Sequence, residues 1–115
     1  MPPKGRHHMG TSFAIEETVD GDGMLSVSLV GDLDLAATDP LTACLEQLLD
    51  EGGAVRLDLA RLKFIDSPGI RALAGSVEAG RRGGGELFEV KPTVDDRLRR
   101  RLERAGVGSI LWPRR

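Results

Sequence analysis

The chain has 115 residues, of which 40% are apolar and 30% are charged, and its net charge is −2. This size and composition are typical of one globular domain that buries its own core. The single cysteine excludes an internal disulfide and a multi-cysteine metal site, and it favours a cytoplasmic location. No apolar run approaches the ~20 residues that a membrane-spanning helix requires.

The charges are distributed unevenly along the chain. Residues 1–60 hold 3 basic and 11 acidic side chains, whereas residues 61–115 hold 13 basic and 7 acidic ones. We interpret the arginine run over residues 97–104 as a solvated helix face, because a nucleic-acid interface would also require exposed aromatic side chains, and these are scarce. The sequence therefore predicts no direct contact with nucleic acid.

The amino-terminal half begins with a predicted leader and a hairpin. Residues 1–12 are expected to be a disordered leader or a cloning remnant, and residues 13–115 a single domain. Residues 13–18 are a short candidate strand, and apolar alternation predicts a second strand over residues 25–30. The Asp20-Gly21-Asp22-Gly23 turn between them predicts an antiparallel pair.

Helix and strand signals alternate through the middle of the chain. Residues 31–39 are expected to form a loop, in which Asp39 caps a first helix and Pro40 is the first helical residue. Apolar residues then recur at helical spacing as far as glycines 52 and 53. A strand over residues 54–59 follows. A second helix is predicted to begin with Ser67 as its N-cap and Pro68 as its first residue.

The remaining elements complete an α/β pattern. Glycines 83–85 end the second helix, and residues 86–90 form a strand. A third helix is capped by Thr93 and ends at Gly106, and residues 109–112 form a short strand or turn. The alternation of strands and helices after the first hairpin predicts a mainly parallel sheet with right-handed crossovers.

The sequence holds no complete set of catalytic residues. Ser67 lacks a general base, because both histidines, His7 and His8, lie in the predicted leader, and the G-x-S-x-G pattern of a nucleophile elbow is absent. The glycines at 83–85 follow a helix and precede no Gly-Lys-Ser/Thr, so they do not form a phosphate-binding P-loop. We therefore predict that the protein is not an enzyme and uses neither a cofactor nor a metal ion.

Two features favour regulated binding over catalysis, although each has a simpler structural explanation. Asp32 and Asp34 would share one face of an extended segment, where they either terminate the strand or contact a partner. Ser67 either caps its helix, which stabilises it by ~1 kcal/mol, or is phosphorylated beside Asp66. A helix N-terminus tolerates the added charge of about −1.5 to −2. Local physics does not separate these alternatives.

Three motifs together resemble the STAS domain family, and most closely its stand-alone bacterial anti-sigma factor antagonists. They are G-D-L-D-L at residues 31–35, V-R-L-D-L at 55–59 and F-I-D-S-P-G-I at 64–70. The resemblance covers roughly residues 13–112. It implies a STAS-like α/β fold, a mixed sheet of four to five strands with three to four helices packed mainly on one side.

The resemblance also implies a function. In this family the antagonist binds an anti-sigma factor that is a serine kinase, and this binding releases a sigma factor. The kinase phosphorylates the serine of the D-S motif, which weakens binding, and a PP2C-type phosphatase restores it. Ser67 matches that serine, although many members have Ser, Thr or Ala where this chain has Pro68. The implied partner surface comprises Asp32, Asp34, Asp66, Ser67, Pro68, Gly69 and Arg71.

One alternative from a different functional class stays open at this point. A STAS-type scaffold or sensory module would bind a nucleotide or another small ligand and would not be phosphorylated. The 31–34 segment and the nearby helix start at Ser67 motivate this alternative.

Overall fold

The computed structural model describes residues 3–8, 12–83 and 88–113. The strands in these ranges are β1 (Pro3–His8), β2 (Phe13–Val19), β3 (Leu25–Leu33), β4 (Val55–Leu59), β5 (Leu62–Ile65) and β6 (Phe88–Val94). The helices are α1 (Leu35–Asp50), α2 (Ser67–Arg82), α3 (Asp96–Arg104) and α4 (Gly108–Leu111). No helix in these ranges is both long enough and apolar enough to cross a membrane.

The strands form one mixed sheet in the order β1-β2-β3-β4-β6, and β5 also pairs with β3. β2 is antiparallel to both of its neighbours, β1 and β3, and the β2–β3 hairpin is as predicted, whereas β4, β5 and β6 are parallel to their neighbours. β3 is long enough to pair with β4 along residues 25–28 and with β5 along residues 31–33. The α/β fold with a mixed sheet is therefore confirmed.

One face of the sheet is apolar and the other is polar. Val27 and Leu29 of β3 and Leu57 of β4 are fully buried in a single core, to which the helices contribute the apolar stripes that their spacing predicts. On the other face, Arg56 of β4 binds the carboxylate of Glu89 at 2.6 Å. The helices pack on the apolar face because it is the one that must be removed from water.

The expected loop over residues 31–39 is wrong. β3 continues to Leu33, α1 begins at Leu35 with Asp34 as its N-cap, and Pro40 lies inside the helix. Asp39-Pro40 matches a helix start locally, but Ala37 and Leu41 are one turn apart and both are buried in the core. Burial of Ala37 and Leu41 stabilises the helical conformation of residues 35–39, so α1 begins one turn before Asp39.

Several elements of the second half also differ from prediction. The short β5 was not predicted. β6 continues to Val94, and Asp95 caps α3 in place of Thr93. Of the two alternatives predicted for residues 109–112, the turn is the one observed, because residues 108–111 form a single helical turn. The Asp95 carboxylate accepts the backbone N–H of Arg97 at 2.9 Å, which is the bond a capping residue makes. Pro92 is tolerated in β6 because β6 is an edge strand.

The ends of the predicted domain are only partly described. Pro3–His8 form β1 where a disordered leader was expected, whereas residues 1, 2 and 9–11 lie outside the described residues. The glycines at 84 and 85 and the predicted strand start at residue 86 also lie outside them. The division into a leader over 1–12 and a domain over 13–115 remains a prediction.

Candidate functional site

Two parallel strands bring two helix N-termini to the same edge of the sheet. Leu33 at the end of β3 pairs with Ile65 at the end of β5. A single residue then separates each strand from its helix, Asp34 before α1 and Asp66 before α2. Ligand and partner sites of α/β folds commonly lie where the carboxyl ends of parallel strands meet helix N-termini.

Asp66 joins the two helix N-termini. Its Oδ1 accepts the backbone N–H of Gly69 at 2.8 Å, which caps α2. Its Oδ2 accepts the backbone N–H of Leu35, the first residue of α1, at 3.0 Å. One carboxylate thus satisfies an unpaired donor on each helix, at ends where the helix dipoles favour negative charge.

The prediction that Ser67 is the N-cap is wrong, because Asp66 occupies that position. Ser67 is the first residue of α2 and Pro68 the second. Ser67 is exposed, and within the described residues its hydroxyl has no hydrogen-bond partner. The hydroxyl is therefore available for chemistry without loss of the helix cap.

Gly69 is required by the close approach of α2 to β3. A Cβ atom at this position would lie 2.2 Å from the carbonyl oxygen of Leu33 and 3.0 Å from Cγ1 of Ile65. The first of these contacts is with backbone, which cannot move aside without shifting the strand. Gly69 thus holds the start of α2 against the strand that leads to α1.

The other predicted site residues lie at or near this edge. Asp32 pairs with Phe64 across β3 and β5, and Asp34 makes no side-chain capping bond. Arg71 is exposed on α2, one turn after Ser67, and lines a groove of about 220 Å³ between α1 and α2. Among the described residues no group of three or more His, Cys, Asp or Glu side chains is placed to hold a metal ion.

Two exposed apolar side chains at this edge were not predicted. Leu35 is 67% exposed and Phe64 is 48% exposed, and they are the large hydrophobic residues that the described part of the chain leaves exposed. Both are close to Asp66, since the N–H of Leu35 binds its carboxylate and Phe64 precedes it by two residues. Large apolar side chains exposed on both segments that adjoin Asp66 make this edge a candidate interaction surface.

A cleft beside Ser67 was not predicted either. It has a volume of about 560 Å³, and its lining residues are Ser67, Ile70, Arg97, Arg100, Arg101, Arg104 and Ala105. The four arginines recur at positions i, i+3, i+4 and i+7 of α3, so they form one stripe on that helix. We interpreted these arginines as a solvated helix face and did not predict that they lie beside Ser67. Their helical spacing, however, can be read from the sequence.

The arginine stripe (Arg97, Arg100, Arg101 and Arg104) is exposed and uncompensated. Within residues 12–83 and 88–113, none of these four guanidinium groups has a hydrogen-bond or ion-pair partner. Arg99, on another face of α3, differs because it stacks on the ring of Trp112 at 4.3 Å. The stripe therefore presents four unpaired positive charges to the cleft that Ser67 lines.

Both the sequence and the fold have relatives among known proteins. A family model described as "Mlab, STAS domain" matches residues 18–112. No curated protein matches the sequence significantly. The matched range includes all three motifs in full and most of the described structure.

Two proteins of known structure share the fold. An anti-sigma factor antagonist from Mycobacterium paratuberculosis is 23% identical over 88% of this chain and 84% of its own, with a TM-score of 0.69. The anti-sigma factor antagonist SpoIIAA in its unphosphorylated form is 19% identical over 82% of each chain, with a TM-score of 0.65. The phosphorylated form of SpoIIAA, described as a Bacillus cell fate determinant, is 19% identical over 82% of this chain and 85% of its own, with a TM-score of 0.61. At these identities the likeness concerns the fold.

Proposed function

Because this chain belongs to the STAS domain family, we propose that it is an anti-sigma factor antagonist controlled by phosphorylation of Ser67. It binds an anti-sigma factor that has serine kinase activity, and this binding releases a sigma factor. Phosphorylation of Ser67 by the bound kinase ends the interaction, and a PP2C-type phosphatase restores it. The observation that carries the proposal is the position of Ser67, exposed and free of any capping role next to exposed apolar surface.

The residues around Ser67 are suited to binding a protein. Leu35 and Phe64 supply apolar area that a partner would remove from water, and Asp32 and Asp34 supply polar groups beside it. A few well-buried apolar contacts usually provide most of the affinity of such an interface. We therefore place the contact with the anti-sigma factor on the edge where β3 and β5 end.

A phosphate at Ser67 would affect the complex far more than the free protein. It adds about −1.5 to −2 charges. In the free protein the N-terminus of α2 and the surrounding water accommodate this charge. In the complex the same charge would have to be moved out of water and against the partner, which costs free energy. The fold therefore stays intact while the partner is lost.

Phosphorylation can be tested with the purified protein. It is incubated with a candidate kinase-type anti-sigma factor and ATP, and the modified residue is mapped by mass spectrometry. We expect phosphate on Ser67 and none on a Ser67→Ala variant that still binds the kinase. Phosphate on another residue, or no phosphate with a kinase that binds the protein, would contradict the proposal.

A second candidate function is a STAS-type sensory module that binds a nucleotide. The arginine-lined cleft beside Ser67 favours it, because guanidinium groups suit the phosphates of such a ligand. Thermal unfolding with and without nucleotide distinguishes the two candidates. A ligand at 100 times its dissociation constant adds about 2.7 kcal/mol to the free energy of unfolding and so raises Tm.

A further inference from the structure

We propose that the arginine stripe of α3 is an internal receptor for the phosphate group carried by Ser67. The proposal deepens the proposed function and depends on it in one respect, that Ser67 is the residue that becomes phosphorylated. The stripe would then bind the modified serine within the same domain. Nothing in the family match or in the sequence patterns assigns this role to α3.

The first support is geometric. Ser67 begins α2 and lines the same cleft as the stripe. The buried side chain of Ile70, one turn further along α2, also lines this cleft. A water molecule occupies about 30 Å³ in the liquid, so a cleft of about 560 Å³ has room for a phosphate group together with its hydration.

The second support is the chemistry of the stripe. All four side chains are arginines, whose planar guanidinium groups bind phosphate oxygens with two parallel hydrogen bonds. Like charges at i, i+3 and i+4 destabilise a helix by about 0.2–0.5 kcal/mol per pair. The phosphate brings a charge of about −1.5 to −2 to a cleft lined by four arginines. It would therefore cancel roughly half of the positive charge and reduce the repulsion among the arginines.

The third support is that the nearest acid is already bonded. Asp66 adjoins Ser67, but both of its carboxylate oxygens accept backbone N–H groups, those of Gly69 and Leu35. On α3, Asp96 and Glu103 fall at helical positions outside the stripe. The groups lining the cleft with Ser67 are therefore arginine or apolar side chains, so an attached phosphate would meet positive charge there.

The modification itself is an ordinary phosphoryl transfer. A bond forms between Oγ of Ser67 and the γ-phosphorus of ATP, while the bond from that phosphorus to the departing ADP breaks. The hydroxyl proton passes to a base of the kinase. The phosphate is then carried by a residue that lines the same cleft as the four arginines.

The test measures the ionisation of the phosphate directly. Phosphoserine is incorporated at position 67 during translation, without any kinase, and its second pKa is followed by phosphorus NMR. We expect this pKa to be lower by about one unit than in an Arg100→Gln/Arg104→Gln double variant, because nearby positive charge favours the dianion. An Arg82→Gln variant, which alters an exposed arginine outside the cleft, should match the unaltered protein.

A second measurement uses only the protein with all four arginines, so its result does not depend on whether the double variant folds. In 1 M salt the Debye length falls to about 3 Å, so the pKa of the phosphate in the unaltered background should rise toward that of a phosphoserine peptide. Equal pKa values in all variants, or a pKa that does not respond to salt, would overturn the proposal. One further outcome would overturn the proposal. If ATP raised the Tm of the unmodified protein but not of the double variant, and the phosphoserine pKa were unshifted, the cleft would be a site for free nucleotide.

This result is independent of the kinase assay. Failure of a kinase to modify Ser67 would refute the phosphorylation switch and leave the NMR result unchanged. An unshifted pKa would refute the arginine receptor and leave the switch in place.

Discussion

Replacement of Asp66 by alanine tests the structural role assigned to this carboxylate. Loss of an N-cap side chain costs ~1 kcal/mol, and loss of the separate hydrogen bond to the Leu35 N–H costs ~1 kcal/mol more. The two bonds use different oxygens and different helices, so we expect Asp66→Ala to lower the free energy of unfolding by about 2 kcal/mol. For a domain of this size that corresponds to a fall in Tm of roughly 10 °C.

Two neighbouring residues provide matched controls, and urea unfolding followed by circular dichroism provides the assay. Asp34 is also an N-cap but makes no side-chain capping bond, so Asp34→Ala should cost only a few tenths of a kcal/mol. Ser67→Ala should be equally mild, because Ser67 caps nothing. A loss of ~1 kcal/mol for Ser67→Ala, with Asp66→Ala nearly neutral, would refute the assignment of Asp66 as the residue that joins both helices.

Three further predictions follow from individual side chains. Gly69→Ala should lower the free energy of unfolding in urea by about 2 kcal/mol. Gly75→Ala should instead raise it by about 0.5 kcal/mol, because an added Cβ at position 75 meets nothing within 4 Å. Equal effects of the two substitutions would contradict the close approach at Gly69. Phe64→Ser should weaken binding to the anti-sigma factor about tenfold in calorimetry with Tm unchanged, and unaltered affinity would remove Phe64 from the interface. Burial raises the pKa of the Cys44 thiol, and the charges of two nearby glutamates raise it further. Iodoacetamide at pH 8 should therefore label Cys44 more slowly in the folded protein than in the urea-unfolded protein. Equal labelling rates would contradict this prediction.

Local patterns predicted the elements whose signals are uninterrupted. Alternation identified β3 and β4, and apolar residues at helical spacing identified α1, α2 and α3. The Asp39-Pro40 pair misled because it satisfies every local rule for a helix start. The actual start at Leu35 depends on burial of Ala37 and on a hydrogen bond from Leu35 to Asp66. Rules based on neighbouring residues do not predict these contacts, because they join parts of the chain that are far apart in sequence.

The candidate site was predictable to a similar extent. The Asp66-Ser67-Pro68 sequence offers two capping residues in succession, and a local reading favours the serine. The choice of Asp66 reflects the second helix N-terminus, which is brought beside it by the pairing of β3 with β5. The spacing of the arginines could be read from the sequence, but the cleft that they share with Ser67 depends on how α3 packs near the start of α2.

The central claim is that phosphate on Ser67 removes the protein from its partner. The most direct measurement is the affinity of a kinase-type anti-sigma factor for the unmodified protein and for the protein carrying phosphoserine at position 67, determined by calorimetry at one salt concentration. We predict that the phosphorylated form binds at least 100-fold more weakly, a difference of about 2.7 kcal/mol, while both forms melt cooperatively. Equal affinities of the two folded forms would contradict the claim.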